Sequence, residues 1–332
     1  MAGTRQERVA AFTDRVIARL RSRTRPTGSR RTALLIGAAA LFLVAMVLAV
    51  RSLPDGQLTV NWPLVAVTAI VGVPALLVMN AIEYWLSARV LGHRVERGDA
   101  LVVAVYGGAA NLLPIPGTAL VRLGALTKQG SGVGRAAGAT AVVAVAWFGA
   151  AGFVGAPAAA SSGTWWLAAL LFAGGLVTVP VVHRSVVRLR RRGGLDGDRD
   201  PAVSVPARRQ TVELYALEVA MIVVRALRFW LVILAFDLDA GIRTAFILPV
   251  SGVIASALGF LPGGLGIREL VAGALSGANG DPAAVGVLAS GLDRIVALPV
   301  LAVIALGLAA WERRHPRPAP AGEPSGAGEA GA

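Results

Sequence analysis

Apolar runs separated by short polar stretches dominate the chain. The first, "TALLIGAAALFLVAMVLAV" at 32–50, approaches the ~20 residues that carry a helix across a ~30 Å hydrocarbon core. Others follow at 62–91, 100–113, 114–127, 136–157, 164–182, 212–236, 243–260, 262–277 and 283–310. Length sorts them. The two pieces flanking Pro114 and Pro116 have about 14 residues each, roughly 21 Å of helix, too short to cross. The segment 100–127 therefore predicts a re-entrant helical hairpin with "PIPG" at its tip, formed by Pro114, Pro116 and Gly117. By the same reasoning 243–277 predicts a second hairpin, entering from the opposite face. Its tip is "LPGG", with Pro262, Gly263, Gly264 and, just behind, Gly266; its first arm of 18 residues could nearly span. The other six segments predict full spans, which gives an all-α polytopic membrane protein of six spanning helices plus two re-entrant helical hairpins.

The pattern repeats. Trp85 falls on Trp230 and Ala100 on Ala245, each 145 positions on; Pro116 falls on Pro262 and Arg122 on Arg268, each 146 on. The span at 62–91 and its counterpart at 212–236 run in opposite directions through the predicted topology. The halves thus form an inverted repeat, and inverted repeats with broken helices are the usual architecture of alternating-access carriers. A non-helical tip at membrane depth is tolerated only where protein buries it or a wet cavity faces it.

Charge orients this plan. The chain has 332 residues, 15% of them charged, where a soluble domain carries about a quarter. The net charge of +13 lies mainly between apolar segments, so it reports membrane orientation and not nucleic-acid binding. Nine arginines precede residue 32 and eight lie between His183 and Gln210, whereas the connections near 51–61, 158–163, 237–243 and 277–282 contribute only Arg51 and Arg243. Both termini are expected in the cytoplasm, in a plasma (inner) membrane. The organisation read from this is a basic arm at 1–31, a first span and outer loop at 32–61, and repeat 1 at 62–182. A basic linker at 183–211, repeat 2 at 212–311 and a disordered tail at 312–332 complete it. In the arm, Val9, Phe12, Val16, Ile17 and Leu20 recur at helical spacing. An interfacial helix and a disordered topology-setting tail both suit it. Its length is unlike the charged region of a signal peptide.

Chemistry narrows further. No cysteine is present, and His93, His183 and His315 lack metal-ligand spacing. No Walker-type loop and no serine–histidine constellation occurs, so neither a cofactor, a metal nor an enzymatic activity is expected. Charges within or near the apolar segments are Glu83, Arg122, Arg225, Arg228, Arg268, Glu269, Asp293 and Arg294. Arginines outnumber acids there by five to three, and unpaired buried cations are costly. A phosphate would relieve that cost, since guanidinium binds it through paired hydrogen bonds. The candidate phosphate contacts are Arg268, Arg122, Arg225, Arg228 and Arg294, with Glu269, Glu83 and Asp293 as charge partners. The bland alternative is that these groups pair and lock the bundle, with Glu83, at the repeat position of Arg228, pairing across the repeat.

At "LPGGLGIRE", followed by "GDPAAVGVLASGLDRI", the sequence resembles the lysylphosphatidylglycerol synthase transmembrane family. The string Pro262, Gly263, Gly264, Gly266, Ile267, Arg268, Glu269 is complete, and Arg294 matches the later family arginine. In the first half Pro114, Gly117 and Arg122 fit loosely, Thr118 stands where the family has glutamate, and Trp147 occupies the repeat position of Arg294. The resemblance covers roughly 30–312 and implies a flippase-like membrane region without its synthase domain. Its expected partners are membrane lipids and an envelope glycosyltransferase or lipid-modifying enzyme, with no nucleic acid. A non-transporting scaffold of envelope synthesis is the competing expectation.

Overall fold

A computed structural model describes residues 28–53, 59–110, 117–193, 205–258 and 264–315. Among them ten helices occur and no strand. They are α1 (Gly28–Arg51), α2 (Trp62–Val90), α3 (Arg97–Ala110), α4 (Gly117–Lys128), α5 (Val133–Ser161), α6 (Trp165–Arg192), α7 (Ala207–Ala235), α8 (Ile242–Ala257), α9 (Ile267–Ala278) and α10 (Ala283–Arg314). The proposed arm helix, the tip residues Pro114, Pro116, Pro262 and Gly263, and the tail after His315 lie outside the described residues.

Four helices, α2, α5, α6 and α10, are long and apolar enough to cross a membrane. α7 has the length, 29 residues, but carries Glu218, Arg225 and Arg228 in its apolar part. Large apolar side chains point outward from these helices, Ile70 at 73% exposure and Leu306 at 71% among them. Lipid tails, not water, are the medium such faces fit. Trp62, Trp165, Trp166 and Trp311 are exposed at helix ends, where amphipathic rings favour the headgroup layer.

α7 is the axis of the packing. Its Leu214 joins a cluster with Tyr84, Leu126, Val142 and Val186. Its Ile222 joins Ala150, Leu167 and Val250, and its Phe229 and Val232 join Leu248, Ala272 and Leu288. Small residues let α5 and α6 close on each other: a side chain at Gly152 would meet the Leu171 backbone, and one at Gly175 would sit 3.1 Å from the Gly149 carbonyl. Close approach through glycine and alanine is how helices associate where the surroundings are as apolar as they are.

Two pairs of short helices fold back on themselves. α3 and α4, of 14 and 12 residues, meet where Thr118 Oγ1 donates to the Gly107 carbonyl at 3.0 Å. Their outer ends return to one place, since His93 before α3 contacts Ser131 after α4 at 2.5 Å. α8 breaks at Leu248, just before Pro249, and leads to the 12-residue α9. Thr244 at the start of α8 and Asn279 after α9 are joined at 2.9 Å, so this pair also begins and ends together. The connections then segregate. One end gathers His93, Ser131 and Arg135, which donates to the Leu91 carbonyl. The other gathers Ser162, bonded to Asn279, Thr164, bonded to the Ala278 carbonyl, and Arg243, bonded to the Ser161 carbonyl. Among the described residues the first end also holds Arg89, paired with Glu213, and Gly193 at the end of α6, which lies against Arg135.

Candidate functional site: a buried network of arginines and carboxylates

The charged residues of the apolar segments converge. On α4, Arg122 is buried and makes a bidentate pair with Glu83 of α2: Nη1 donates to Oε1 at 2.7 Å and Nη2 to Oε2 at 2.5 Å. Nη2 also reaches Asn80 Oδ1 at 3.3 Å. Both oxygens of Glu83 are thus engaged by one guanidinium, the strongest geometry available to such a pair. Pairing of Glu83 across the repeat with Arg228 does not occur. Arg228 lies instead against Asp293 of α10, at 2.5 Å. A sequence offset does not choose partners: facing neighbours are set by how the helices pack.

Asp293 is shared. Its Oδ1 accepts from Arg228 and its Oδ2 from Arg268 Nη2 at 3.1 Å. The Arg268 guanidinium also lies over the Phe229 ring, 5.4 Å from the centroid. Arg228 has room because α2 gives it some. Pro74, which lacks an N–H and crowds the preceding turn, follows a π-helical turn at Thr68–Gly72. Gly72 there lies against the Arg228 stem, and a Cβ on it would sit 2.7 Å from Arg228 Cγ.

The start of α9 explains its glycines and its glutamate. Gly264 and Gly266 have φ of 69° and 79°, a left-handed conformation that glycine adopts without strain. Gly266 is the N-cap, and its N–H donates to Glu269 Oε2 at 2.7 Å. The other carboxylate oxygen, Oε1, lies 3.3 Å from Arg294 Nε. Glu269 is fully buried: it caps its own helix with one oxygen and neutralises an α10 arginine with the other.

Arg225 differs from the rest. No carboxylate among the described residues lies within ion-pair distance of it, and its guanidinium sits 5.4 Å from the Trp147 ring centroid. It is within electrostatic reach of Arg268 and Arg228 on one side and of Glu83 and Glu218 on the other. The buried Nε groups of Arg225, Arg228 and Arg268, and the Trp147 indole N–H, have no hydrogen-bond acceptor. Four donors left open in an apolar interior constitute a demand for an acceptor, since each such group costs about 1–3 kcal/mol unpaired.

Glu218 was absent from the sequence-based roster. It is buried on α7, 1% exposed, within electrostatic reach of Glu83, and its Oε1 has no hydrogen-bond partner. A signal existed: Glu218, Ile222, Arg225 and Phe229 fall at helical spacing in one segment. The acids of the network therefore number four against five arginines.

A chain of apolar helices that buries such a network in its interior is an integral membrane protein, since soluble bundles hold their charges at the surface. Residues 32–307 match the family described as the lysylphosphatidylglycerol synthase TM region, and the chain belongs to that family. No curated protein matches it.

Proposed function

We propose that this protein moves an anionic or zwitterionic phospholipid, or a lipid-linked head group, between leaflets by alternating access. In this reading α1, α2, α5, α6, α7 and α10 span the plasma membrane with both termini in the cytoplasm. The α3–α4 and α8–α9 pairs are re-entrant hairpins, and the two halves are inverted repeats. Three arms of 12 to 14 residues, with α8 broken at Leu248, in pairs that begin and end together, support the hairpins, and the gathering of Arg89 and Arg135 at one end supports the orientation. The protein makes no covalent change in its lipid; a lipid-modifying enzyme or glycosyltransferase supplies or consumes it.

The observation that carries the reading is Arg225, half-buried with its Nε enclosed and without a carboxylate, beside the open donors of Arg228, Arg268 and Trp147. A phosphate with its several acceptor oxygens matches that donor set. Arg268, whose side chain is the most exposed of the ion-paired network arginines at 20%, is the entry contact, and Arg294 completes the cationic wall. Arg122 is already saturated by Glu83 and acts on the phosphate only at a distance. The test is lipid translocation in proteoliposomes. Arg268→Ala abolishes headgroup movement at unchanged expression, and an unaltered rate overturns the assignment.

One observation favours a scaffold instead: the α3–α4 half has its arginine fully neutralised and Thr118 engaged by the Gly107 carbonyl. Co-purification of a glycosyltransferase, with no lipid movement by the isolated protein, selects that reading.

A further inference from the structure

A carboxyl group buried away from water with no cation beside it must hold a proton. Glu83 and Glu218 are the buried carboxyl groups of α2 and α7, 5% and 1% exposed, and the geometry says which of them carries it. Glu83 accepts two guanidinium hydrogen bonds from Arg122, one on each oxygen, which fixes it as the carboxylate. Glu218 has no cation at ion-pair distance among the described residues, and one of its oxygens has no partner at all. Glu218 is therefore the protonated one of the two.

We propose that Glu218 is a proton-binding site built into the network, and that it couples proton uptake to binding of the phosphate group. The link is Arg225, which lies seven residues further along the same face of α7. With the proton in place, Glu218 is neutral, Glu83 is already neutralised by Arg122, and Arg225, held by the Trp147 ring, is open to a phosphate. When the proton leaves, as Glu218–OH → Glu218–O⁻ + H⁺, Arg225 gains a carboxylate within electrostatic reach, and the phosphate loses its contact. Proton and phosphate then favour each other, and the coupling must be reciprocal. A carrier so built moves a proton along with its anion or releases the anion on the less acidic side; that last step rests on the translocation reading above.

The groups facing Glu218 are accounted for. Glu83 comes from α2, with Tyr84 beside it, and Arg122 from α4. Arg225 shares α7 with Glu218. Next to Arg225 stand Arg228 of α7, Arg268 of α9 and Trp147 of α5, and Arg228 and Arg268 are held by Asp293 of α10. His183 of α6 contacts Thr211, seven residues before Glu218 on α7, at 3.3 Å. Asp293 is tied up by two arginines, so Glu218 is the carboxyl whose charge remains to be set.

The test uses the full chain in lipid nanodiscs. Infrared difference spectra at neutral pH show a protonated-carboxyl C=O band that disappears in Glu218→Gln. Binding of glycerophosphoglycerol, a phosphodiester of fixed charge across a pH range from about 5 to about 9, is then measured in the same range. In the wild type, affinity falls as pH rises, by a factor on the order of 5–150; in Glu218→Gln it stays at its acid value. A wild type with no carboxyl band, or with pH-independent binding, overturns the proposal without need of any variant. Translocation that depends on Arg268 but not on pH sinks the proton site and leaves the carrier reading standing. A carboxyl band and pH-dependent binding in a protein that moves no lipid do the reverse.

Discussion

Asp293→Asn separates the two jobs that one carboxylate performs. In the native protein Asp293 is buried and holds Arg228 with one oxygen and Arg268 with the other. Asparagine keeps the shape, but it is neutral. Its carbonyl oxygen can serve one guanidinium, while its NH₂ group faces the second donor to donor. Removing one partner of a buried ion pair costs about 3–5 kcal/mol, because a charge is left uncompensated. At about 2–4 °C per kcal/mol for chains somewhat smaller than this one, the apparent Tm falls by roughly 6–20 °C. Ligand affinity moves the other way. Arg268 loses its competing carboxylate, and a charge-assisted hydrogen bond worth about 1.5–3 kcal/mol becomes available to a phosphate, a gain on the order of tenfold to a hundredfold in Kd. Unfolding followed by tryptophan fluorescence in nanodiscs, with and without glycerophosphoglycerol, reads both effects. The ligand raises the variant's Tm by more than the wild type's, in proportion to the logarithm of its concentration over Kd. An unchanged Tm would refute the buried pairing, and weaker binding would refute the idea that Asp293 and the phosphate compete for Arg268.

Other substitutions test separate parts of the structure. Glu83→Gln alone should cost about 1 kcal/mol, since Glu218 can ionise and take over Arg122, whereas adding Glu218→Gln brings the loss to about 3–5 kcal/mol; additive melts for the two single variants would contradict this. Gly286→Ala drives a methyl into the Ala272 carbonyl and to within 2.8 Å of Ser276 Cβ, separating α9 from α10 at a cost of about 1–3 kcal/mol. Gly307→Ala, with nothing within 4 Å, serves as the control and leaves the melt unchanged or slightly raised. Burial and the neighbouring Arg135 hold His93 below its ordinary 6.5. The unfolded chain therefore takes up a proton before the folded one does, so stability present above His93's ordinary 6.5 is lost as pH falls from there through its lowered folded-state pKa. His93→Gln should flatten this acid limb of the Tm profile, and an unchanged limb would remove His93 as its source.

How far the sequence carries can be judged residue by residue. Helix positions followed from apolar length, since a backbone in lipid must satisfy its own hydrogen bonds. The break before α9 was visible because Gly264 and Gly266 punctuate an otherwise helical run, and both adopt the left-handed conformation. The roster of charged residues was also visible, since any ionisable group in a long apolar segment stands out. Partner choice was not. Glu83 pairs with Arg122, 39 residues on, and Arg228 with Asp293, 65 residues on, because α2 faces α4 and α7 faces α10. No periodicity within one helix encodes which other helix lies opposite. Glu218 is the exception in that roster: it stands in the apolar segment 212–236 too, but the arginines of that segment pointed to phosphate and away from an acid. Its meaning comes only from Glu83, on a helix far away in sequence.

The differences between the halves bear on how such a site can work. Arg268 keeps a partner it shares and a fifth of its side-chain surface exposed, whereas Arg122 has a carboxylate to itself and is almost fully enclosed. Trp147 stands where the repeat would place a counterpart of Arg294, and it offers Arg225 a ring face in place of another charge. A ring holds a cation with about 0.5–2 kcal/mol, enough to orient the guanidinium and far less than a buried carboxylate would give. An arginine held that loosely can be surrendered to a ligand and recovered afterwards, which one locked to a carboxylate cannot. A tryptophan at 147, in place of a cation, leaves nothing there to repel Arg225, and in the proton-coupled reading the charge on Glu218 is then the one against which Arg225 acts.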